Sequence, residues 1–345
     1  MTDNQWNTLL QVIRGEDVSP LPVGFIIDSP WLPNWAGMTI LDYFTSDHLW
    51  FEANKKAIDT FPETMFLPGF WSEYGMCSEP SAFGAKTRFP ADEFPHAYAS
   101  IHSMDEIDKL QKPRVDQDGL APFILNRLKL NQQKIEEMDH KIRFSVSRGP
   151  LNIASYLMGS TEFLMALISD PDRVHKLLRV ITDYLKEWHQ LQKDTISTID
   201  GMLVLDDIIG FIGEDHFKEF ALPYCKELFD MDVSVRFLHN DAPCKVSAPY
   251  LPEMGVNFFN MGYDVTLNEL KELTGNKVTL LGNLPPRDIL ALKSPDEVWN
   301  ETLNMINELK DTKRIVLSCG GGMSPGTPTE NLKAFIDAAK SKEAK

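Results

Sequence analysis

The sequence predicts an α/β fold of the (β/α)8 barrel class, on three observations. Eight short runs rich in β-branched, aliphatic and aromatic residues recur along the chain, and longer amphipathic stretches separate them. Strands joined through helices pair in parallel, because a parallel connection needs a crossover of a dozen or more residues. The length, 345 residues, exceeds the ~250 typical of such a barrel, so one domain over residues 1–345 accommodates everything, with some chain to spare.

In order, the strand runs are LPVGFIID (21–28), ETMFLPGF (63–70), IRFSVSRG (142–149), GMLVLDDI (201–208), VSVRFLHND (233–241), VNFFNMG (256–262), KVTLLGNL (277–284) and RIVLSCGGG (314–322). Each has an apolar body and ends on polar or turn-forming residues. Between the third and fourth runs, STEFLMALISDPDRVHKLLRVITDYLKEWHQLQKDTI repeats apolar residues at three-and-four spacing, the period of a helix with one buried face. Before the eighth, SPDEVWNETLNMINELK opens on a Ser-Pro cap with Pro at the first helical position. The surplus length falls between 71 and 141, a stretch rich in Pro, Phe and charge with a weak period, expected to form a lid over the barrel mouth.

Charge narrows the partners. With 34 basic against 50 acidic side chains, a formal charge of −16 and scattered Lys and Arg, the chain lacks the concentrated positive charge that nucleic acid or an anionic membrane needs. Four cysteines, at 77, 225, 244 and 319, form no CxxC pair and read as reduced thiols. The amino terminus lacks the order of a secretory signal, and no apolar run approaches the ~18 residues that span a bilayer. The expected address is the cytoplasm.

In a barrel of this class the reacting groups come from the carboxyl ends of strands. That rule yields Asp28, Ser147, Arg148, Asp206, Asp207, His239, Asn240, Asp241, Asn260, Asn283 and Cys319. His239 and Cys319 end otherwise apolar strands, and Asp241 lies two residues past His239, on the same side of an extended segment. Imidazole, carboxylate and thiolate make a catalytic zinc set, with a fourth position left for substrate. Trp31 and Trp35 after the first strand, and Phe70, Trp71 and Tyr74 after the second, could line the mouth with Asp28 and Glu73, or could pack the lid onto the barrel. Rings at a mouth suit an aryl methyl ether or, as an aromatic cage, a quaternary methylamine. Asp206 and Asp207 either hold substrate, orient a metal ligand, or simply solvate a loop; Asn260 and Asn283 are expected to face the substrate. CGGGMSPGTPTENL carries no Lys after its glycines and so is no phosphate loop. Thr327 to Glu330 has the spacing of a capping box.

Three segments carry a family resemblance: LLGNLPPRDILALKSPDEVW with RIVLSCGGGMSPGTPTENLKAFIDAA, SRGPLNIASYLMGSTEFLMALISDPDRVHKLL, and VLDDIIGFIGEDHFKEFALPY. Together they resemble the uroporphyrinogen decarboxylase superfamily over roughly residues 5–340. The resemblance implies that superfamily's barrel and one of two chemistries, decarboxylation of porphyrinogen acetates or zinc-dependent methyl transfer to or from a corrinoid. The decarboxylases carry an early Met-Arg-Gln-Ala-Gly-Arg-like segment that holds substrate carboxylates. Here the corresponding stretch is GFIIDSPWLPNWAG, with Asp28 and no Arg between Arg14 and Arg88, and a carboxylate there repels a polyanion. The methyltransferase branch places His-x-Cys on one strand and Cys on the last. His239 and Cys319 match its first and third zinc ligands, and Asp241 stands where Cys is usual, with Cys244 or Glu79 as other completions, or the metal lost.

The activity implied is that of an O-demethylase component acting on methoxylated aromatics, moving a methyl group from a small methylated substrate, an aryl methyl ether, to a corrinoid's cobalt while Zn2+ polarises the heteroatom. Asp28, Asp206 and Asp207 are the acidic candidates to assist. No histidine sits in an Asp-x-His-x-x-Gly motif, so the corrinoid is expected on a separate partner protein. A methylcobamide:thiol methyltransferase and a ligand-binding barrel without catalysis remain alternatives. A homodimer is the common symmetric outcome for such a chain.

Overall fold

The computed structural model describes residues 1–27 and 30–341. It is a (β/α)8 barrel. Its strands are β1 (Gly24–Ile26), β2 (Met65–Leu67), β3 (Phe144–Arg148), β4 (Gly201–Leu205), β5 (Val235–Asn240), β6 (Phe258–Met261), β7 (Thr279–Leu284) and β8 (Ile315–Cys319). Each falls inside one of the eight expected runs. β3 to β8 form one parallel sheet in sequence order, and β1 pairs in parallel with β2. The ring closes on one side through a parallel bridge between Val23 and Leu317, where the Leu317 amide donates to the Pro22 carbonyl at 2.8 Å. On the other side no strand pairing joins β2 to β3 among the described residues. There Met1 lies in the gap, its backbone exchanging hydrogen bonds with Lys141.

Strand alternation sorts the apolar residues into two cores. Ile26, Leu67, Phe144, Leu203, Leu205, Val235, Phe237, Phe258, Leu281 and Val316 fill the lumen. Helix α1 (Asp3–Arg14) plugs its amino-terminal end with Trp6, Leu9 and Val12. Trp6 packs edge-on against Phe144 at 5.5 Å. The opposite strand faces pack against the helices in the larger core. Those helices include α2 (Asp47–Thr60), α3 (Ala121–Glu137), α4 (Pro150–Met158), α5 (Ser160–Ser169), α6 (Pro171–Thr195), α7 (Leu222–Phe229), α8 (Leu267–Leu273), α9 (Pro295–Glu308) and α10 (Thr329–Lys340).

The stretch 71–141 divides in two. Its later part is α3, which packs beside α2 and α6 as an ordinary member of the helix layer. Its earlier part is irregular, with the short helix Ser78–Ala82 and a two-residue hairpin pairing Thr87–Arg88 with His96–Ala97, and it sends Glu73 and Glu79 to the carboxyl end of β3. Ser294 caps α9 with Pro295 in its first turn, as expected, and Glu297 completes a capping box. Thr327 does not cap α10: Pro328 holds the cap position, and the Thr327 hydroxyl donates to the Ser324 carbonyl instead. No single helix among the described residues is long and apolar enough to cross a membrane.

Candidate active site

The carboxyl ends of β3 to β6 bring together most of the charged residues that the lumen contains. Arg148 ends β3 on the same face as Phe144, so its guanidinium enters the lumen although the residue is only 6% exposed. Its Nη2 donates to Glu73 Oε2 at 2.8 Å, its backbone amide donates to Glu79 Oε1 at 3.1 Å, and its guanidinium lies 5.5 Å from the Trp71 ring centre. Burial pushes the Glu79 carboxyl up to about 7, against the pull of Arg148. It raises Glu73 too, with Arg148 opposing.

After β4, Asp206 is fully buried and works as a cap donated by another strand. Its two oxygens accept the Leu151 and Asn152 amides at 2.9 and 3.1 Å, satisfying the first free N–H groups of α4. Asp207 accepts the Asp241 amide at 2.8 Å. Asn152 completes the joint by accepting the amides of Asp207 and Ile208. Asp206 is thus held by structure, and Asp207 positions the segment after β5.

His239 shares the lumen face of β5 with Val235 and Phe237. Asn260, on the next strand, donates its Nδ2 to the Leu281 carbonyl at 2.8 Å, which turns Oδ1 toward His239 Nδ1 at 2.8 Å. That acceptor fixes the proton on Nδ1 and leaves Nε2 facing Asp241 Oδ1 at 3.5 Å. Burial alone would lower the imidazole, but the Asp241 carboxylate and the Asn260 bond outweigh it and raise it to about 9. The Asp241 side chain is half exposed, so partial desolvation only weakly opposes ionisation, and His239 with the Gly322 amide holds its pKa below the ordinary value. Gly321, in the left-handed region at φ 72°, passes so close that a Cβ there would sit 2.1 Å from Asp241 Oδ1. Only glycine fits against that carboxylate.

The three expected zinc ligands do not converge. Ile315, Leu317 and Cys319 form the outward face of β8, packed in the helix-side core, while Val316 faces the lumen. The Cys319 thiol points to the Gly321 carbonyl at 3.7 Å. Cys244 is buried in the same helix-side core, and Glu79 is turned to Arg148. No group of three or more His, Cys, Asp or Glu among the described residues is arranged to hold a metal ion. The donor set present therefore does not fit the expected site.

Other expectations also move. Trp31 stacks on Trp35 at 4.8 Å, and their indole N–H groups donate to the Thr327 carbonyl and the Thr329 hydroxyl, so both rings fasten the helix Leu32–Ala36 to α10. Tyr74 lies under Arg127 beside Phe44 and Phe89. Of the aromatic candidates, only Trp71 reaches the lumen. Asn283 spends its amide on the Val265 and Gly262 carbonyls, and Asn260 on orienting His239. Asp28 lies outside the described residues. What sequence reasoning missed is the convergence of Glu73 and Glu79 on Arg148, although the period-two spacing of Phe144 and Arg148 already places them on one face.

The sequence profile of the uroporphyrinogen decarboxylase (URO-D) family matches residues 4–342. A uroporphyrinogen decarboxylase of Campylobacter fetus is 26% identical over 278 residues, 77% of each chain. A methylated-thiol--coenzyme M methyltransferase of Methanosarcina mazei is 22% identical over 268 residues, covering 78% of this chain and 71% of that one. Among solved structures, a methyltransferase from Methanosarcina mazei superposes with a TM-score of 0.81 at 20% identity, over 96% of this chain and 97% of that one. With its barrel matched almost end to end by the profile, the chain belongs to the URO-D family.

Proposed function

We propose that this protein is a methyltransferase, taking a methyl group from a small neutral or cationic methylated substrate and passing it to a corrinoid carried by a partner protein in the cytoplasm. The observation that carries this reading is the charge at the barrel mouth. One lumen-facing guanidinium, Arg148, is already paired with Glu73, and the other charged side chains tied to it and to the segment after β5, Glu79, Asp207 and Asp241, are acidic. A porphyrinogen bearing many carboxylates would meet like charge there. The methyltransferase among the relatives adds support. The docked corrinoid supplies the nucleophile. As the bond from methyl carbon to heteroatom breaks, its electron pair stays on the heteroatom. His239, oriented by Asn260, is placed to give that atom a proton from Nε2, with Asp241 balancing the imidazolium beforehand. No step here runs through a metal.

An aryl methyl ether is one donor within this class, although Trp31, Trp35 and Tyr74 offer it no face. The test is to mix purified protein and reduced corrinoid protein with methyl-labelled methoxyarenes, methylamines and methyl thioethers, and to follow the label. Label in the corrinoid fraction, lost in His239→Ala, is expected. Label reaching a thiol with no corrinoid uptake would favour the thiol-acceptor reading, which the methylated-thiol relative supports. Consumption of uroporphyrinogen with release of carbon dioxide, and no label transfer from any donor, would overturn the proposal.

A further inference from the structure

Two carboxylates close on Arg148 at the carboxyl end of β3, Glu73 on its guanidinium and Glu79 on its backbone amide, and the arithmetic of that cluster is incomplete. Glu73 and Glu79 are 6% and 4% exposed, and each uses one oxygen on Arg148. Their other oxygens, Glu73 Oε1 and Glu79 Oε2, are fully buried and have no hydrogen-bond partner. Buried polar atoms in folded proteins are nearly always satisfied, so two orphaned acceptors on neighbouring carboxylates point to a missing donor. Charge leads to the same place: above about pH 7, where Glu79 ionises, the cluster is one positive charge short. Nothing nearby supplies it. The other titratable groups that interact with these residues are Tyr156, Tyr184 and Cys77, none of them cationic, and the Tyr184 hydroxyl makes no hydrogen bond to Glu79; His239 is engaged by Asp241.

We infer that Glu73, Arg148 and Glu79 form the binding subsite for a small protonated amine that carries at least one N–H. Such a cation brings the charge and the donor together. A quaternary ammonium brings charge without a donor, and the face of Trp71 that could hold it by cation–π contact is already taken by Arg148. An ether brings neither, and a carboxylate is repelled. The inference rests on the methyltransferase reading only in making this amine the methyl donor.

The test compares trimethylammonium with tetramethylammonium by titration calorimetry on the wild-type chain, at equal charge and closely similar size. Trimethylammonium should bind at least about tenfold tighter, the scale of one hydrogen bond to a charged group. Glu79→Gln, which keeps an oxygen for the Arg148 amide, should weaken trimethylammonium at least about tenfold, and more than it weakens tetramethylammonium, which loses charge attraction but no hydrogen bond; its melting curve checks that it folds. Equal affinity for the two cations, no saturable amine binding, or an unchanged affinity in a folded Glu79→Gln would each overturn the inference. The two readings fail separately: amine binding without methyl transfer removes the enzyme and leaves the subsite, whereas transfer from another donor without amine binding does the reverse.

Discussion

His239 and Asp241 were adjacent in chemistry as soon as they were adjacent in sequence, because residues two apart on an extended segment share a side. Cys319 was not readable in the same way. Alternation assigns a side chain to a face only when one face is polar, and β8 is buried on both, so Ile315, Leu317 and Cys319 look no different in sequence from Val316 and Ser318. The pairings that the lumen does contain have a consequence for pH. Glu79, raised to about 7, and His239, raised to about 9, both hold protons more tightly folded than unfolded. The stability each contributes is complete below its ordinary value, 4.5 and 6.5, and is lost as pH climbs through the folded value. The calorimetric midpoint should therefore fall between about pH 4.5 and about pH 9, through Glu79 up to about 7 and through His239 from about 6.5, and Glu79→Gln should flatten the part below about pH 7. A midpoint that holds steady or rises across that interval contradicts the assignment. His189, fully buried between the Ser145 and Ser147 hydroxyls, has the opposite sign. Burial lowers it to about 3, so its contribution is lost only as pH falls below the ordinary range of histidine.

At the level of elements, β4 and α4 are joined by a cap that no local motif announces. Gly149 stands at the cap position of α4 with no side chain to serve, and Asp206, 57 positions later in the chain, performs the task. A Cβ on Gly149 would sit 2.2 Å from Asp206 Oδ2, so the glycine and the aspartate are one fitted pair. Gly149→Ala should cost about 1–3 kcal/mol by forcing the carboxylate aside. Asp206→Ala should cost about 1–3 kcal/mol for each of the two amides it strands. Urea unfolding of each variant measures this, and a double variant losing much less than the sum would show that the two act together. Sequence motifs worked where partners are local, as at Ser294 with Pro295. The Thr327 to Glu330 spacing was equally good, yet Pro328 took the cap position and Trp31 took the Thr327 carbonyl. For the same reason the eight strands were legible, each run standing alone, while the division of 71–141 into mouth segment and α3 depended on packing against α2 and α6.

Across the whole molecule, the lumen is sealed below by a helix that belongs to none of the eight units. Trp6 stacks its edge on Phe144 and also meets the Gly201 backbone, where any larger residue would crowd Phe144. Trp6→Ala should cost about 3–5 kcal/mol, as for other large buried aromatics, and a loss near zero in urea unfolding would show that α1 is ornamental. The acidic surface, with its net charge of −16, plays no part in this construction. The ring itself is a hoop with a clasp. Six strands form a continuous arc, and the β1–β2 pair hangs from it by the Val23–Leu317 bridge on one side and by Met1 against Lys141 on the other. Native-state deuterium uptake should accordingly proceed in two tiers. Amides of β4 to β7, flanked on both sides, exchange only on global unfolding, while those of β2 exchange through a smaller opening that leaves the arc intact. The lumen would then open sideways at that clasp, next to the segment that delivers Glu73 and Glu79, long before the barrel comes apart.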